Sequence, residues 1–131
     1  MKKIIFVTAV SILLGLGIWK GYQKPTSVLG EQTIPRVTLT LVDEDLVSTY
    51  SGIFATTPFD ALQKVATDNQ IFLKIKQYDF GMFVEEIGDR SNFTDYAWLY
   101  SINGVSGDVA ADKKILKTGD LVEWHYMKPT Y

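Results

Sequence analysis

Cysteine is absent from all 131 residues, and histidine occurs once, as His125. The first absence excludes disulfides and a lipid-modified N-terminal cysteine, so an exported domain here must be held by packing alone. Together the two absences remove zinc sites built from Cys or from several His. No nucleophile motif accompanies His125, which lies between Trp124 and Tyr126 in a strand-like pattern and reads as a surface or edge residue rather than a base. Catalytic residues and protein metal ligands are therefore not expected. Basic residues are also few where a nucleic-acid binder would need them. Lys2, Lys3, Lys20 and Lys24 all fall in the first 24 residues, which hold no acid; the rest of the chain has nine basic against fifteen acidic residues, a net of −6. Such a surface repels phosphate backbones.

One long apolar run is present. Ile4 to Trp19, IIFVTAVSILLGLGIW, carries no charge and is framed by Lys2, Lys3 and Lys20. A basic start before an uncharged apolar stretch marks a secretory signal or signal anchor. Sixteen helical residues span about 24 Å against a hydrocarbon core of roughly 30 Å; snorkelling lysines and Trp19 and Tyr22 at the interface can cover the difference. No small-x-small cleavage pair comes closely after it, so residues 1–20 are expected to form an uncleaved single-pass anchor with the domain outside the cell; cleavage and secretion is the alternative. Residues 21–36, with two prolines and two glycines and no sustained period, read as a tether.

Residues 37–131 read as one soluble domain. Val37 to Val42 alternates with period two and predicts a half-buried strand. Asp43-Glu44-Asp45 makes the bend into a second strand over Val47 to Ala55, with Gly52 either weakening it or marking a bulge. The acidic bend lacks the spacing of a calcium loop. Thr57-Pro58-Phe59-Asp60 is a helix start, in which Thr57 caps, Pro58 occupies the first helical position and Asp60 complements the dipole. Phe59, Leu62, Val65 and Ala66 then form one apolar stripe that ends near Asp68-Asn69. Further strands are expected at Phe72–Gln77, Phe80–Ile87, Trp98–Ile102 and Leu121–Tyr126, with turns at Gly88 to Asn92, at Asn103-Gly104 and at Lys117 to Asp120. The expected class is α+β, a single helix packed on a mainly antiparallel, β-grasp-like sheet preceded by the N-terminal membrane segment. Asn92-Phe93-Thr94 matches a glycosylation sequon, a pattern short enough to arise by chance.

The segments TTPFDALQKVATDN, YDFGMFVEEIGD and YAWLYSINGVSGDVAADKKILKTGDLVEWHY, in this order, resemble the transcobalamin-C-terminal-like domain family. Phe80-Gly81, Trp98, Tyr100, Asn103-Gly104, Gly119-Asp120 and Glu123-Trp124 stand at that family's characteristic places. The resemblance covers about Val37 to Tyr126. It implies the small β-domain of the vitamin B12 carriers, which meets cobalamin together with a large helical domain that this sequence does not contain.

Laid on this chain, the resemblance implies ligand-binding positions at Val84, Trp98, Tyr100, Val105, Gly107 and Asp108, the last being more polar than a B12 carrier would show. The aromatics gathered between Tyr78 and Tyr126 either fill the core or lend two or three rings to a binding surface. The expected function is a non-enzymatic, membrane-tethered module outside the cell that binds a small molecule. The resemblance makes a corrinoid the leading ligand, no bound cofactor is otherwise called for, and a transporter or surface protein is a possible partner. The alternative is a structural or adhesive surface module that binds a protein or cell-wall polymer.

Overall fold

A computed structural model describes residues 32–130 of the chain. The expected membrane segment and most of the tether lie outside them. Strands β1 (Arg36–Asp43) and β2 (Leu46–Phe54) form an antiparallel hairpin turning at Glu44 and Asp45. Their register slips between Val37 and Leu39, which places two residues, Ser51 and Gly52, opposite Thr38, so of the two readings of Gly52 the bulge is the one observed. Helix α1 (Pro58–Asp68) starts as its sequence dictates. Thr57 is extended, and its hydroxyl accepts from the Asp60 amide at 3.0 Å while Pro58 opens the helix. Phe59, Leu62, Val65 and Ala66 are all buried.

The remaining strands are β3 (Leu73–Tyr78), β4 (Gly81–Ile87), β5 (Arg90–Ser91), β6 (Ala97–Ile102), β7 (Val105–Ser106) and β8 (Leu121–Met127). They do not make the single sheet expected. A five-stranded sheet runs β2-β1-β8-β6-β7, and a separate three-stranded sheet runs β3-β4-β5. All neighbours are antiparallel except β1 and β8, which pair in parallel at the centre of the larger sheet. Alternation fixes which side of a strand is apolar but carries no information about which strands pair, and this is why the division escapes the sequence pattern.

One face of the larger sheet is the core. Val37 and Leu39 of β1, Val122 and Trp124 of β8 and Trp98 of β6 lie on it, packed with Leu62 and Val65 of α1 and Val84 and Ile87 of β4. The opposite face carries Thr38, Thr40, Glu123, His125, Leu99 and Ser101.

A candidate ligand cavity at the open edges of two strands

Between Met82 and Val84, β4 has no strand on the side away from β3, because β5 pairs only with Glu86 and Ile87. Between Ala97 and Tyr100, β6 likewise lacks a strand on the side away from β8, because β7 pairs only with Ser101 and Ile102. Polar side chains cap these edges. Asn92 donates from Nδ2 to the Val84 carbonyl at 3.0 Å and accepts on Oδ1 from the Trp98 amide at 2.9 Å, so one side chain ties the two sheets together. Asp112 accepts from the Met82 amide at 2.9 Å. That approach explains the Phe-Gly pair. Gly81 has φ +134°, and a Cβ there would stand 2.5 Å from Asp112 Oδ1 and 2.6 Å from Ala110 Cβ. The sequon at Asn92 is thus a structural strut rather than a free acceptor.

Beside these edges lies a cavity of about 850 Å³, which wraps around β6. Its core-side wall is Val84, Trp98, Tyr100 and Trp124, and its outer wall holds Leu99, Ser101, Glu123 and His125. Phe80, Phe83 and Gly107 to Ala111 close its margins. A smaller cavity, about 460 Å³ between β2 and α1, is entered by Lys64, which bonds to the Phe54 carbonyl and to Asp60.

Five of the six positions implied by the resemblance line the larger cavity: Val84, Trp98, Tyr100, Gly107 and Asp108. Val105 does not. In β7 successive side chains point to opposite sides, so Ser106 faces the cavity and Val105 stands 70% exposed away from it. Trp98 and Val84 are buried and form its floor; the Trp98 indole N–H donates to the Arg90 carbonyl at 2.8 Å.

Tyr100 is more committed than its place in the sequence implies. Its hydroxyl donates to the Val109 carbonyl at 2.5 Å, and its ring lies 5.6 Å from that of Trp124. Gly107 donates its amide to the Tyr100 carbonyl at 3.0 Å, and a Cβ on Gly107 would meet ring atom Cζ at 2.1 Å. The close backbone approach that Gly107 permits is therefore to Tyr100, not to a free ligand face. Burial pushes the Tyr100 phenol above its ordinary range, and the Asp108 and Asp112 carboxylates add to that. Asp108 sits at the rim, its carboxyl held low by the hydrogen bond from Lys114 at 3.1 Å.

Two wall residues are not among the positions expected from sequence. His125 Nε2 and Glu123 Oε2 are 2.5 Å apart. Their i, i+2 spacing in a strand is the signal that could find them, since it sets both on one face. Among the lining residues there is no lysine or arginine, so the ionisable groups beside the Tyr100 phenol are Asp108, Glu123 and His125. Asp43, at the acidic bend, is instead held by Arg90 at 2.8 Å.

The sequence matches the family model described as a domain of unknown function, DUF4430, over residues 56–128. No curated protein matches it. Among solved structures, the chain is similar to a protein from Ruminococcus gnavus described as a candidate metal binding protein, at 15% identity and a TM-score of 0.58. That match spans 73% of this chain and 99% of the other. The chain is also similar to haptocorrin in complex with Cbi, at 13% identity and a TM-score of 0.64, again over 73% of this chain but over 25% of haptocorrin. At these identities the likeness establishes a shared fold.

Proposed function

The chain belongs to the DUF4430 family and carries a transcobalamin-like domain, and from this premise we propose that it is a non-enzymatic binding module for a small, partly apolar ligand, with a corrinoid the leading candidate. The observation that carries the reading is the cavity of about 850 Å³, within the size range of ligand sites, whose walls combine indole and phenol rings with a few polar groups. Haptocorrin in complex with Cbi supports the ligand class, although the chain spans only a quarter of that protein. The parallel β1–β8 pair with a helix after the first hairpin supports the β-grasp-like description. The apolar run over Ile4 to Trp19 supports tethering to a membrane with the domain outside the cell, and the net of −6 beyond Lys24 argues against nucleic acid.

The test is a thermal-shift measurement on the full-length chain in detergent with cobinamide, cobalamin and unrelated cofactors. A ligand at 100 times its Kd adds about 2.7 kcal/mol of stability. A melting temperature indifferent to both corrinoids at high micromolar concentration would refute the ligand. A second reading, a surface module for a protein or polymer partner, has one specific support. Tyr78 and Phe80 stack at 5.1 Å on the β3–β4 turn, with Phe80 61% exposed. Cell-wall or protein binding that survives blocking of the cavity would favour it.

A further inference from the structure

Among the described residues every strand edge but one is blunted, and we propose that the exception, the outer edge of β2, is where a second copy of this chain docks. Bare edges recruit other strands, and folds protect them with short strands, charges or caps. β5 and β7 are two residues long. The inner edges of β4 and β6 are capped by Asn92 and Asp112. β3, outermost in its sheet, carries Lys74 and Lys76. β2 is outermost in the larger sheet, and its nine residues, LVSTYSGIF, include no charge and no proline. Only its far end is covered, where Lys64 bonds the Phe54 carbonyl and the Arg36 guanidinium lies over Gly52 and the Phe54 ring.

The pairing inside the sheet fixes which groups the edge offers. The Thr38 amide donates to the Asp120 carbonyl, so Thr38, Thr40 and Val42 turn their backbone groups toward β8. Leu39, Leu41 and Asp43 therefore turn theirs toward β2, where they meet Tyr50, Ser48 and Leu46. The N–H and C=O groups of Val47 and Thr49 are left on the open side. An antiparallel copy related by a two-fold axis through Ser48 satisfies them all, Val47 bonding the partner's Thr49 and Thr49 the partner's Val47. The same register lays Leu46, 70% exposed, beside the partner's Tyr50.

Charge selects a second copy over an unrelated strand. β2 begins just after the acidic bend and ends beneath Arg36. Arg90 takes up Asp43 and Glu44, whereas Asp45 and Arg36 have no ion-pair partner among the described residues. In the register centred on Ser48, Asp45 stands opposite the partner's Ser51, next to the glycine under the partner's Arg36. One strand thus carries both halves of the contact, and two-fold symmetry makes it twice. Two strands, β1 and β8, separate β2 from β6, so the large cavities lie toward the far ends of the joined sheets and stay open.

The chain has no cysteine, so a single introduced thiol reports cleanly. Ser48→Cys sets that thiol on the two-fold axis at a non-hydrogen-bonded position, where paired strands come closest. Mild oxidation of the full-length chain in detergent should link Ser48→Cys to itself and leave Lys76→Cys, on the edge of β3, unlinked. Sedimentation should find a dimer for the wild type and a monomer for Val47→Lys, with Thr49→Pro as the second variant should the first melt early. Asp45→Lys should weaken dimerisation up to about fivefold for each symmetric pair, and Arg36→Glu added to it should restore the wild-type constant. None of these changes touches residues 1–20, so association through that run would persist in every variant. A dimer that survives in folded Val47→Lys and Thr49→Pro, or equal linking at both cysteines, overturns the proposal. A monomeric wild type overturns it too and leaves the edge to an extended segment of another protein; ligand binding at the cavity is unaffected by either outcome.

Discussion

Substituting Gly107 by alanine tests the most specific contact in the cavity wall. The backbone at Gly107 is outside the left-handed region, so alanine brings no conformational strain, and any cost comes from the methyl group alone. That methyl would lie 2.1 Å from Cζ and 2.5 Å from Cε1 and Cε2 of the Tyr100 ring. The ring has no easy retreat, with Trp124 beside it and its hydroxyl on Val109. If the ring yields, it loses that hydrogen bond, worth about 1 kcal/mol, and the aromatic contact, worth about 0.5–1.5 kcal/mol. If the loop yields instead, the overpacking cost is typically about 1–3 kcal/mol. Both routes converge near ~2 kcal/mol, or roughly 8–16 °C in Tm for a domain of this size. Urea denaturation read by tryptophan fluorescence measures the loss. The control is Gly107→Ala in a Tyr100→Ala background, where the methyl meets no ring and should cost under ~0.5 kcal/mol. A neutral single variant, or an equal cost in both backgrounds, refutes the reasoning.

Leu62→Ala, at a fully buried position on α1, should cost ~2–5 kcal/mol in the same denaturation assay. Asn92→Ala leaves the Val84 carbonyl and the Trp98 amide without their partner and should cost ~1–3 kcal/mol, whereas Asn92→Asp restores only the acceptor half. Because burial raises the Tyr100 phenol, its contribution is fully present below the unfolded value near 10 and is lost as pH climbs through the raised folded value. Tyr100→Phe should therefore flatten the alkaline limb of a stability–pH curve. Mass spectrometry of the native protein should find an N-terminus at or near residue 1; a mature start near Glu31 would overturn the anchor while leaving export intact.

Local chemistry is legible in the sequence, and distant pairing is not. The Thr57-Pro58 start, the apolar stripe of α1 and the turn at Asn103-Gly104, where both residues take positive φ, all derive from near-neighbour sterics and capping. Trp98, Tyr100 and Ile102 alternate along β6, and it is the pairing of β6 with β8 that sets them on one face with Trp124. Two-residue strands such as β5 and β7 lack enough residues to show a period, and the gap between the sheets exists because Asn92 and Asp112 occupy edges that strands would otherwise fill. At Gly107 the sequence shows a missing Cβ but not which neighbour uses the space, and the neighbour is Tyr100 rather than a ligand. His125 has the pattern of a surface residue because its partner Glu123 matters only through the shared face of β8.

The cavity and the protection of the strand edges have one physical origin. Exposed strand edges invite pairing with another chain, and folds blunt them with loops and polar caps. Here the caps are side chains from loops: Asn92 on Val84 and Trp98, and Asp112 on Met82. They satisfy backbone groups without laying down a strand, so the space beside the edges stays open while its walls stay fixed. The Tyr100–Gly107 contact does the same for the segment that ends at Val109, holding it to the sheet before any ligand arrives. A wall ordered in advance loses little entropy on binding, so affinity at this site depends on the caps as much as on the residues a ligand touches. Loosening Asn92 or Gly107 should therefore weaken ligand binding even though both act through the shape of the wall.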